Sequence, residues 1–283
     1  MSQESTTATA TPAPAPISIK QLLEAGAHFG HQTGRRHPRM RKYIFTQRNG
    51  IHILDLEKTV VFLDKACKYV TEVVARGEDV LFIGTKRQAQ EPVEEEAKRS
   101  GMPYVNQRWI GGSLTNFSAI QSRIDYLVQL EDRQNRGEFN VLPKKEALKL
   151  TREIQRLNRR LGGIKEMTAL PGAVFIVDSS KERTAIAEAK RVRIPIVGVV
   201  DTNSNPDELD YPIPANDDAV RAIKLICAGV AEAAIAGKAA RGTAEESAAL
   251  EREGEIPESL TFVPEGEGDA NIGSDGEGAE GAD

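Results

Sequence analysis

Three short apolar runs constrain the fold of this chain more than any other feature of its sequence. They cover residues 80–84, 173–177 and 194–200, and each is short and almost continuously apolar, as expected for a parallel strand buried on both faces. Helical patterns at residues 88–99 and 180–191 lie between them. Strands that alternate with helices predict an α/β fold with a doubly wound, mainly parallel, flavodoxin-like sheet.

A helical hairpin is predicted to interrupt this sheet domain at residues 115–163. In its second half apolar residues recur at steps of 3, 4, 3 and 4, and a looser stripe of the same kind runs through residues 117–130. The stepped residues are Ala147, Leu150, Ile154, Leu157 and Leu161. We expect an antiparallel coiled coil with a turn near Gly137, and cations on the side of its second helix that faces away from the apolar stripe.

The formal net charge of −5 hides a strong segregation of charge along the chain. Residues 243–283 hold 13 acids and one base, whereas residues 17–242 hold 36 bases and 28 acids. A basic body of this kind is typical of a protein that faces a polyanion. The composition predicts four parts: a disordered arm at 1–16, an α/β domain at 17–114 and 164–240, the coiled-coil insertion at 115–163, and an acidic disordered tail at 241–283.

The most basic stretch of the chain, residues 32–50, contains no acid. Asn49-Gly50 within it is a strong signal for the turn of a β-hairpin. We expect the cations of this basic loop to contact RNA phosphates. We also expect Lys86 and Arg87, which follow the first apolar run, to contact RNA phosphates. The alternative is that both lie at the solvated start of a helix. The cations of the loop are Arg35, Arg36, Arg39, Arg41, Lys42 and Arg48.

Two features offer an enzymatic or nucleotide-binding alternative. Residues 84–86 (GTK) are superficially similar to a phosphate loop, but the patterns GxxxxGKS, GxxxxGKT and GxGxxG are all absent. Asp178 and Asp201 follow strands, where α/β enzymes often place catalytic acids. Serine, threonine and asparagine residues come directly after each of them, so Asx turns and helix caps explain both acids without catalysis. We therefore predict no catalytic residues.

All four histidines lie between residues 28 and 52. His28 and His31 have a spacing that zinc sites use, but no third ligand follows at a recognisable distance, so no metal and no cofactor are predicted. Cys67 and Cys227 form no CxxC pair, which fits a reducing cytoplasm. Trp109 either stacks on a base or is a buried anchor at the root of the hairpin.

Several ordered motifs together give the chain a specific resemblance to a known family. They lie at residues 26–33 (GAHFGHQT), 48–49 (RN), 52–59 (HILDLEKT), 81–87 (LFIGTKR), 108–116 (RWIGGSLTN), 144–148 (KKEAL), 161–164 (LGGI), 200–204 (VDTNS) and 214–219 (PANDDA). With this set the chain resembles the bacterial family of small-ribosomal-subunit protein number two.

The resemblance implies a structural protein that is seated on 16S ribosomal RNA, ribosome-bound in the cytoplasm, and without enzymatic activity. The implied protein partners are other small-subunit proteins, including the large messenger-binding protein of that subunit. Neither a membrane nor a small-molecule substrate is expected, and no apolar run approaches the roughly 18 residues of a membrane span. Arg193 departs from the family, whose members usually carry a glycine there to end a helix.

The predicted RNA contacts combine the basic loop, the end of the first strand, the loop before the hairpin and the hairpin itself. The sequence leaves open which RNA helices are contacted and whether the hairpin meets RNA or a protein; an adaptor that binds protein alone is a rival. The residues are Arg35, Arg36, Arg39, Arg41, Lys42, Arg48, Lys86, Arg87, Arg108, Lys144, Lys145, Lys149, Arg152, Arg156, Arg159 and Arg160.

Overall fold

The described part of the chain begins with a short helix and a small antiparallel sheet. The computed structural model describes residues 17–254, so the predicted arm at 1–16 lies outside it. Helix α1 (Ile19–Ala25) starts at Ser18, which forms a reciprocal capping box with Gln21. Strands β1 (Phe29–Gln32), β2 (Ile44–Arg48) and β3 (Ile51–Leu54) pair in the order β1-β3-β2. The predicted hairpin is confirmed, since Asn49 and Gly50 both have the positive φ that its two-residue turn requires.

The rest of the described chain alternates between helices and strands. These elements are α2 (Leu56–Ala75), β4 (Val80–Ile83), α3 (Gln90–Ser100), β5 (Tyr104–Val105), α4 (Phe117–Asn135), α5 (Lys144–Leu161), β6 (Ala173–Val177), α6 (Arg183–Arg191), β7 (Ile196–Val200), β8 (Tyr211–Pro214) and α7 (Val220–Gly254). Strands β4 to β8 form one parallel sheet in the order β5-β4-β6-β7-β8. Counted along the chain this is the order 2-1-3-4-5, which is compatible with a flavodoxin-like fold.

Helices cover both faces of the parallel sheet. Alternate strand residues point to opposite faces, so each face has its own core. Phe82 and Phe175 pack edge to face on one side, against helices α2, α3 and α7. Leu81 and Ile176 belong to the core on the other side, with residues of α4, α5 and α6. The α/β prediction is confirmed, and the three apolar runs are its central strands β4, β6 and β7.

Two strands are absent from the sequence-based prediction. Strand β8 contains Pro212 and Pro214, which argue against a strand when only the sequence is read. It lies at the edge of the sheet beside β7, where missing backbone donors are tolerated. Strand β1 reads Phe-Gly-His-Gln, with a glycine and no β-branched residue, so its composition gives it a low β-propensity. Backbone pairing with β3 stabilises it as a strand.

The predicted helices of the insertion are present as α4 and α5. Gly137, at φ 76°, lies in the turn between them, as predicted. Ile120, Ile124, Leu127 and Leu130 of α4 are buried. On α5, Ile154 and Leu161 are buried, while Ala147, Leu150 and Leu157 pack partly buried against the same core. The apolar stripe is therefore found where the spacing placed it, and its coiled-coil geometry stays a prediction.

Helix α7 extends further than the sequence predicted. It continues to Gly254, whereas a tail without structure was expected from residue 241. Gly237 does not end the helix but lets it approach α2, because a Cβ there would lie 2.7 Å from the Thr71 carbonyl oxygen. Residues 241–254 are thus helical, and the remainder of the predicted tail, 255–283, lies outside the described residues.

Candidate nucleic-acid interface

Buried side chains of the basic loop anchor it to the rest of the fold. Residues 33–43 form two short 3-10 segments, within which Met40 and Tyr43 are buried. The backbone N–H of His37 also donates to the Thr202 carbonyl at 2.7 Å. With the apolar residues inside, the cations are left at the surface. Arg35, Arg36, Arg39, Arg41, Lys42 and Arg48 are all exposed.

A carboxylate from the end of the sheet domain faces this loop. Asp207 forms an ion pair with Arg39, and its other oxygen lies 3.9 Å from the Lys42 ammonium. Arg35, Arg36 and Arg41 form no ion pair with any residue in the described part of the chain. The basic loop therefore carries an excess of positive charge on its surface.

The outward side of α5 carries a second set of cations, which we call the hairpin ridge. Its members are Lys144, Lys145, Lys149, Arg152, Arg156, Arg159 and Arg160, and all are exposed, as the helical pattern predicts. The four arginines meet Arg108, from the loop before α4, around one groove of about 490 Å³. Gln107 and Gln155 complete the described lining, which contains no carboxylate. Arg156 is partly neutralised by Glu153 at 2.6 Å on the same helix.

Lys86, in contrast to these exposed cations, is largely buried. Its ammonium is 2.6 Å from Asp217, 2.7 Å from Asp218 and 3.3 Å from Asp178, and the side chain is only 14% exposed. Burial alone would lower the pKa of Lys86, but the hydrogen bonds and charges of these aspartates raise it above its ordinary value. Because Lys86 is engaged within the fold, we leave it out of the proposed RNA contacts, whereas its neighbour Arg87 is exposed.

Donors of residues 84–86 that could bind a phosphate are already engaged within the fold: the backbone N–H of Gly84 donates to the Val105 carbonyl, and the Lys86 ammonium pairs with aspartates. The Thr85 backbone N–H donates to the Glu182 carboxylate at 3.0 Å, and the Thr85 hydroxyl donates to the same oxygen. The close approach of α3 explains Gly84, since a Cβ there would lie 2.8 Å from the Val93 side chain. Carboxylates already occupy the positions that a phosphate would need, which agrees with the missing loop pattern.

The turn interpretation agrees with the geometry at Asp178, whereas the Asp201 carboxylate forms no Asx turn. Asp178 accepts from the backbone N–H groups of Ser180 and Lys181 at 3.1 and 3.2 Å, which is an Asx turn. Asp201 accepts from the backbone N–H of Thr202 at 2.5 Å. Both carboxylates are buried.

Trp109 is a buried anchor, which decides between the two sequence-based alternatives. Its indole N–H donates to Glu188 at 2.9 Å. The same carboxylate accepts from the backbone N–H groups of Gly112, Leu114 and Thr115. Burial alone would raise the pKa of Glu188, but these donors outweigh it and lower that pKa below its ordinary value. Glu188 thereby fixes the loop that carries Arg108.

The fold also gathers side chains that no sequence spacing connects. His31 Nδ1 lies 3.0 Å from Asp201, and one ligand atom from each of His31, Asp201 and Asp217 falls within 4.8 Å of the others. His28 is not part of this cluster. A hydrogen bond to Asp201 is the main reason that the pKa of His31 is raised. Burial, together with the charges of Asp178 and Asp201, raises the pKa of Asp217 to about 7.

Comparison with known proteins identifies the family. The sequence model for ribosomal protein S2 matches residues 22–237. Proteins called small ribosomal subunit protein uS2 from Dehalococcoides mccartyi strains 195 and BAV1 are each 69% identical over 218 residues, which is 77% of this chain and 89% of the relative. Within residues 17–254, the helices are all too short or too polar to cross a membrane. The chain therefore belongs to the ribosomal protein S2 family, whose members are structural components of the small ribosomal subunit and not enzymes.

Proposed function

We propose that the protein binds 16S ribosomal RNA through two sets of exposed cations, the basic loop and the hairpin ridge with Arg108. The groove lined by five arginines carries this proposal. Like charges that converge on one groove repel each other, and an anion in the groove relieves that repulsion. A guanidinium group donates in a planar fork that matches phosphate oxygens, so a groove of arginines suits the backbone of RNA.

Recognition of phosphates and of RNA shape is the mode that these surfaces support. Trp109 is buried against Glu188, so it is not available to stack on a base. A folded RNA offers phosphates and 2′-hydroxyl groups in fixed positions, and cations held on buried anchors can match such positions. The basic loop is anchored through Met40 and Tyr43, and the ridge through the packed face of α5.

Charge reversal tests this proposal. A triple variant should bind 16S RNA fragments more weakly than the wild type, with a shallower dependence of affinity on salt. It carries Arg152→Glu, Arg156→Glu and Arg159→Glu. For every phosphate that the variant no longer neutralises, the slope of log K against log salt should fall by roughly 0.7–0.9. Fluorescence anisotropy over a salt series measures both quantities.

The matched control reverses three exposed helical lysines outside the proposed contacts, with Lys20→Glu, Lys65→Glu and Lys190→Glu. It should retain most of the affinity and the original slope. An equal decrease in affinity for both variants, or wild-type binding that is insensitive to salt, would contradict a specific role of the ridge. Binding to small subunits that survives complete nuclease digestion would favour the protein-only adaptor.

We also propose contacts with neighbouring small-subunit proteins, including the large messenger-binding protein that the family resemblance implies. Leu23, Phe45 and Ile53 line an open groove of about 280 Å³, and Phe45 is exposed. An exposed apolar groove suits a protein better than a phosphate backbone. Phe45→Ser should reduce co-sedimentation of a protein partner while leaving RNA affinity unchanged; unchanged co-sedimentation argues against this groove.

A further inference from the structure

A polar pocket adjoins the groove lined by five arginines, which we call the arginine groove. The pocket has a volume of about 210 Å³ and shares Gln107, Arg159 and Arg160 with that groove. Glu94 of α3 and Asn106, which follows β5, also line it. Pockets for drug-sized ligands measure roughly 300–1,000 Å³, so this pocket suits a smaller group.

Close packing between β5 and the end of α5 shapes the pocket. Gly163 follows α5 and lines the pocket, and a Cβ there would overlap the carbonyl oxygen and the ring of Tyr104. The Tyr104 hydroxyl donates to Glu94 Oε1 at 3.3 Å, and the Asn106 amide donates to Glu94 Oε2 at 2.7 Å. Asn106 is only 9% exposed. These contacts fix the Glu94 carboxylate and the Asn106 amide before any ligand arrives.

Two acceptor positions in the pocket have no donor among the described residues. The Glu94 carboxylate has about four acceptor positions. Lys98, Tyr104 and Asn106 fill three of them, and the fourth lies on Oε2. The Asn106 amide oxygen accepts from no donor in the described part of the chain. A hydrogen bond from Lys98 is the main reason that the pKa of Glu94 lies below its ordinary value, so this carboxylate is ionised at neutral pH.

Hydrogen-bond donors line the part of the pocket that is shared with the arginine groove. Arg159 Nε donates to the Gln107 amide oxygen at 3.2 Å. The terminal NH₂ groups of Arg159, the Gln107 NH₂ group and the Arg160 guanidinium have no acceptor among residues 17–254. A guanidinium plane can also stack on a nucleobase. The pocket therefore combines planar cations with both kinds of hydrogen-bonding group.

We propose that this pocket binds an unpaired guanine of the RNA whose phosphates occupy the arginine groove, an inference that rests on the proposed function. Guanine presents the donors N1–H and N2–H₂ next to the acceptors O6 and N7. The two acceptor positions on Glu94 and Asn106 match these donors, and an arginine matches O6 and N7. The other three bases lack two adjacent donor groups on this edge, so they would leave an acceptor of the pocket unpaired. Because a paired base is not accessible on that edge, the guanine must lie in a loop or a bulge.

Fluorescence anisotropy with RNA hairpins that differ in one bulged nucleotide tests the pocket. The full-length wild type should bind a bulged guanine on the order of 10-fold more tightly than a bulged adenine, cytosine or uracil. Glu94→Gln should reduce this preference several-fold, while the salt dependence of binding stays unchanged. Glu91→Gln, which removes an exposed acid of the same helix outside the pocket, should keep the wild-type preference.

Inosine in the bulge keeps the test independent of any variant that fails to fold. It lacks the N2 amino group but retains N1–H, O6 and N7, so the wild type should bind it several-fold more weakly than guanine. The pocket is overturned by equal affinity for the four bulged bases, by equal affinity for inosine and guanine, or by an unchanged guanine preference in Glu94→Gln. Each of these results would leave salt-dependent binding through the ridge intact, whereas failure to bind any of the hairpins would contradict the proposed function together with the pocket.

Discussion

The carboxylate of Glu188 receives hydrogen bonds from one indole and from several backbone N–H groups of the loop before α4. Each donor needs an acceptor once it is buried, and only an ionised carboxylate has enough lone pairs to serve them all. The loop carries Arg108 to its place beside the arginines of α5. One buried charge on α6 therefore positions part of the proposed RNA-binding groove.

Replacing this carboxylate should destabilise the fold in a pH-dependent manner. Glu188→Gln presents an NH₂ group to N–H donors, and we expect a decrease of about 2 kcal/mol in the free energy of unfolding at neutral pH. Because the folded pKa of Glu188 is lowered, its stabilisation is fully present above the ordinary value of 4.5 and is lost as pH falls through the folded pKa.

Urea unfolding at several pH values measures this difference. The gap between wild type and Glu188→Gln should shrink as the pH falls below 4.5. Glu166→Gln, at an exposed position, should show little change at any pH. A gap that stays constant down to acid pH would mean that the charge of Glu188 is not what stabilises the loop.

Arg193 occupies a backbone conformation that suits glycine. Its φ is 60°, and the helix ends there in a Schellman motif, with the Ile194 N–H donating to the Ala189 carbonyl at 2.9 Å. Arg193→Gly should therefore stabilise the protein by about 0.5–1 kcal/mol, since the left-handed strain is relieved. Thermal unfolding measures the gain. Arg191→Gly, which removes the same charge at the last residue of α6, should instead destabilise by up to about 1 kcal/mol.

At the scale of elements, the hairpin shows how a repeated pattern specifies a structure. The buried residues of α4 and the packed stripe of α5 follow the apolar spacing of the sequence. Between the two segments Glu131 also accepts from Asn158 at 2.6 Å and pairs with Lys165. The ridge cations therefore project from a helix whose opposite side is packed.

Truncating a buried leucine of this interface should be costly. Leu127 on α4 is fully buried, so Leu127→Ala should lower the free energy of unfolding by about 3 kcal/mol. Leu148→Ala on α5, where the side chain is 50% exposed, should cost less than about 1 kcal/mol. Chemical denaturation compares the two, and similarly small effects would show that α4 is not held by its apolar stripe.

The sequence predicts those elements whose signal is local. The apolar runs of β4, β6 and β7, the turn at Asn49-Gly50 and the stripes of the hairpin are all such signals. Strand β8 escapes prediction because its prolines are tolerated only by its edge position. The continuation of α7 to Gly254 escapes prediction because Gly237 serves packing rather than termination. The cluster of His31 with Asp201 and Asp217 depends on β1 meeting the far end of the parallel sheet, which no spacing encodes.

For the whole molecule, the separation of charge matters more than its total. The body has a positive excess and its cations are displayed on anchored surfaces, whereas the acids of residues 243–283 lie together in the sequence. We expect a polyanionic segment on the same chain to compete with RNA for those cations through long-range attraction. Since the interaction is between solvated charges, its strength falls as the Debye length shortens from about 10 Å at 0.1 M salt to about 3 Å at 1 M.

Neutralising that segment should therefore raise the affinity for free RNA, and most strongly at low salt. In a variant with the 13 acids of residues 243–283 replaced by asparagine and glutamine, the chain length is unchanged and only the charge is removed. Anisotropy titrations with a 16S RNA fragment should show tighter binding than wild type at about 0.05 M salt and nearly equal binding at about 0.5 M, where the charges are screened. A control that exchanges alanines and serines in the same segment should bind like the wild type. Equal affinity of the neutral variant and the wild type at both salt concentrations would mean that the acidic segment does not compete with RNA.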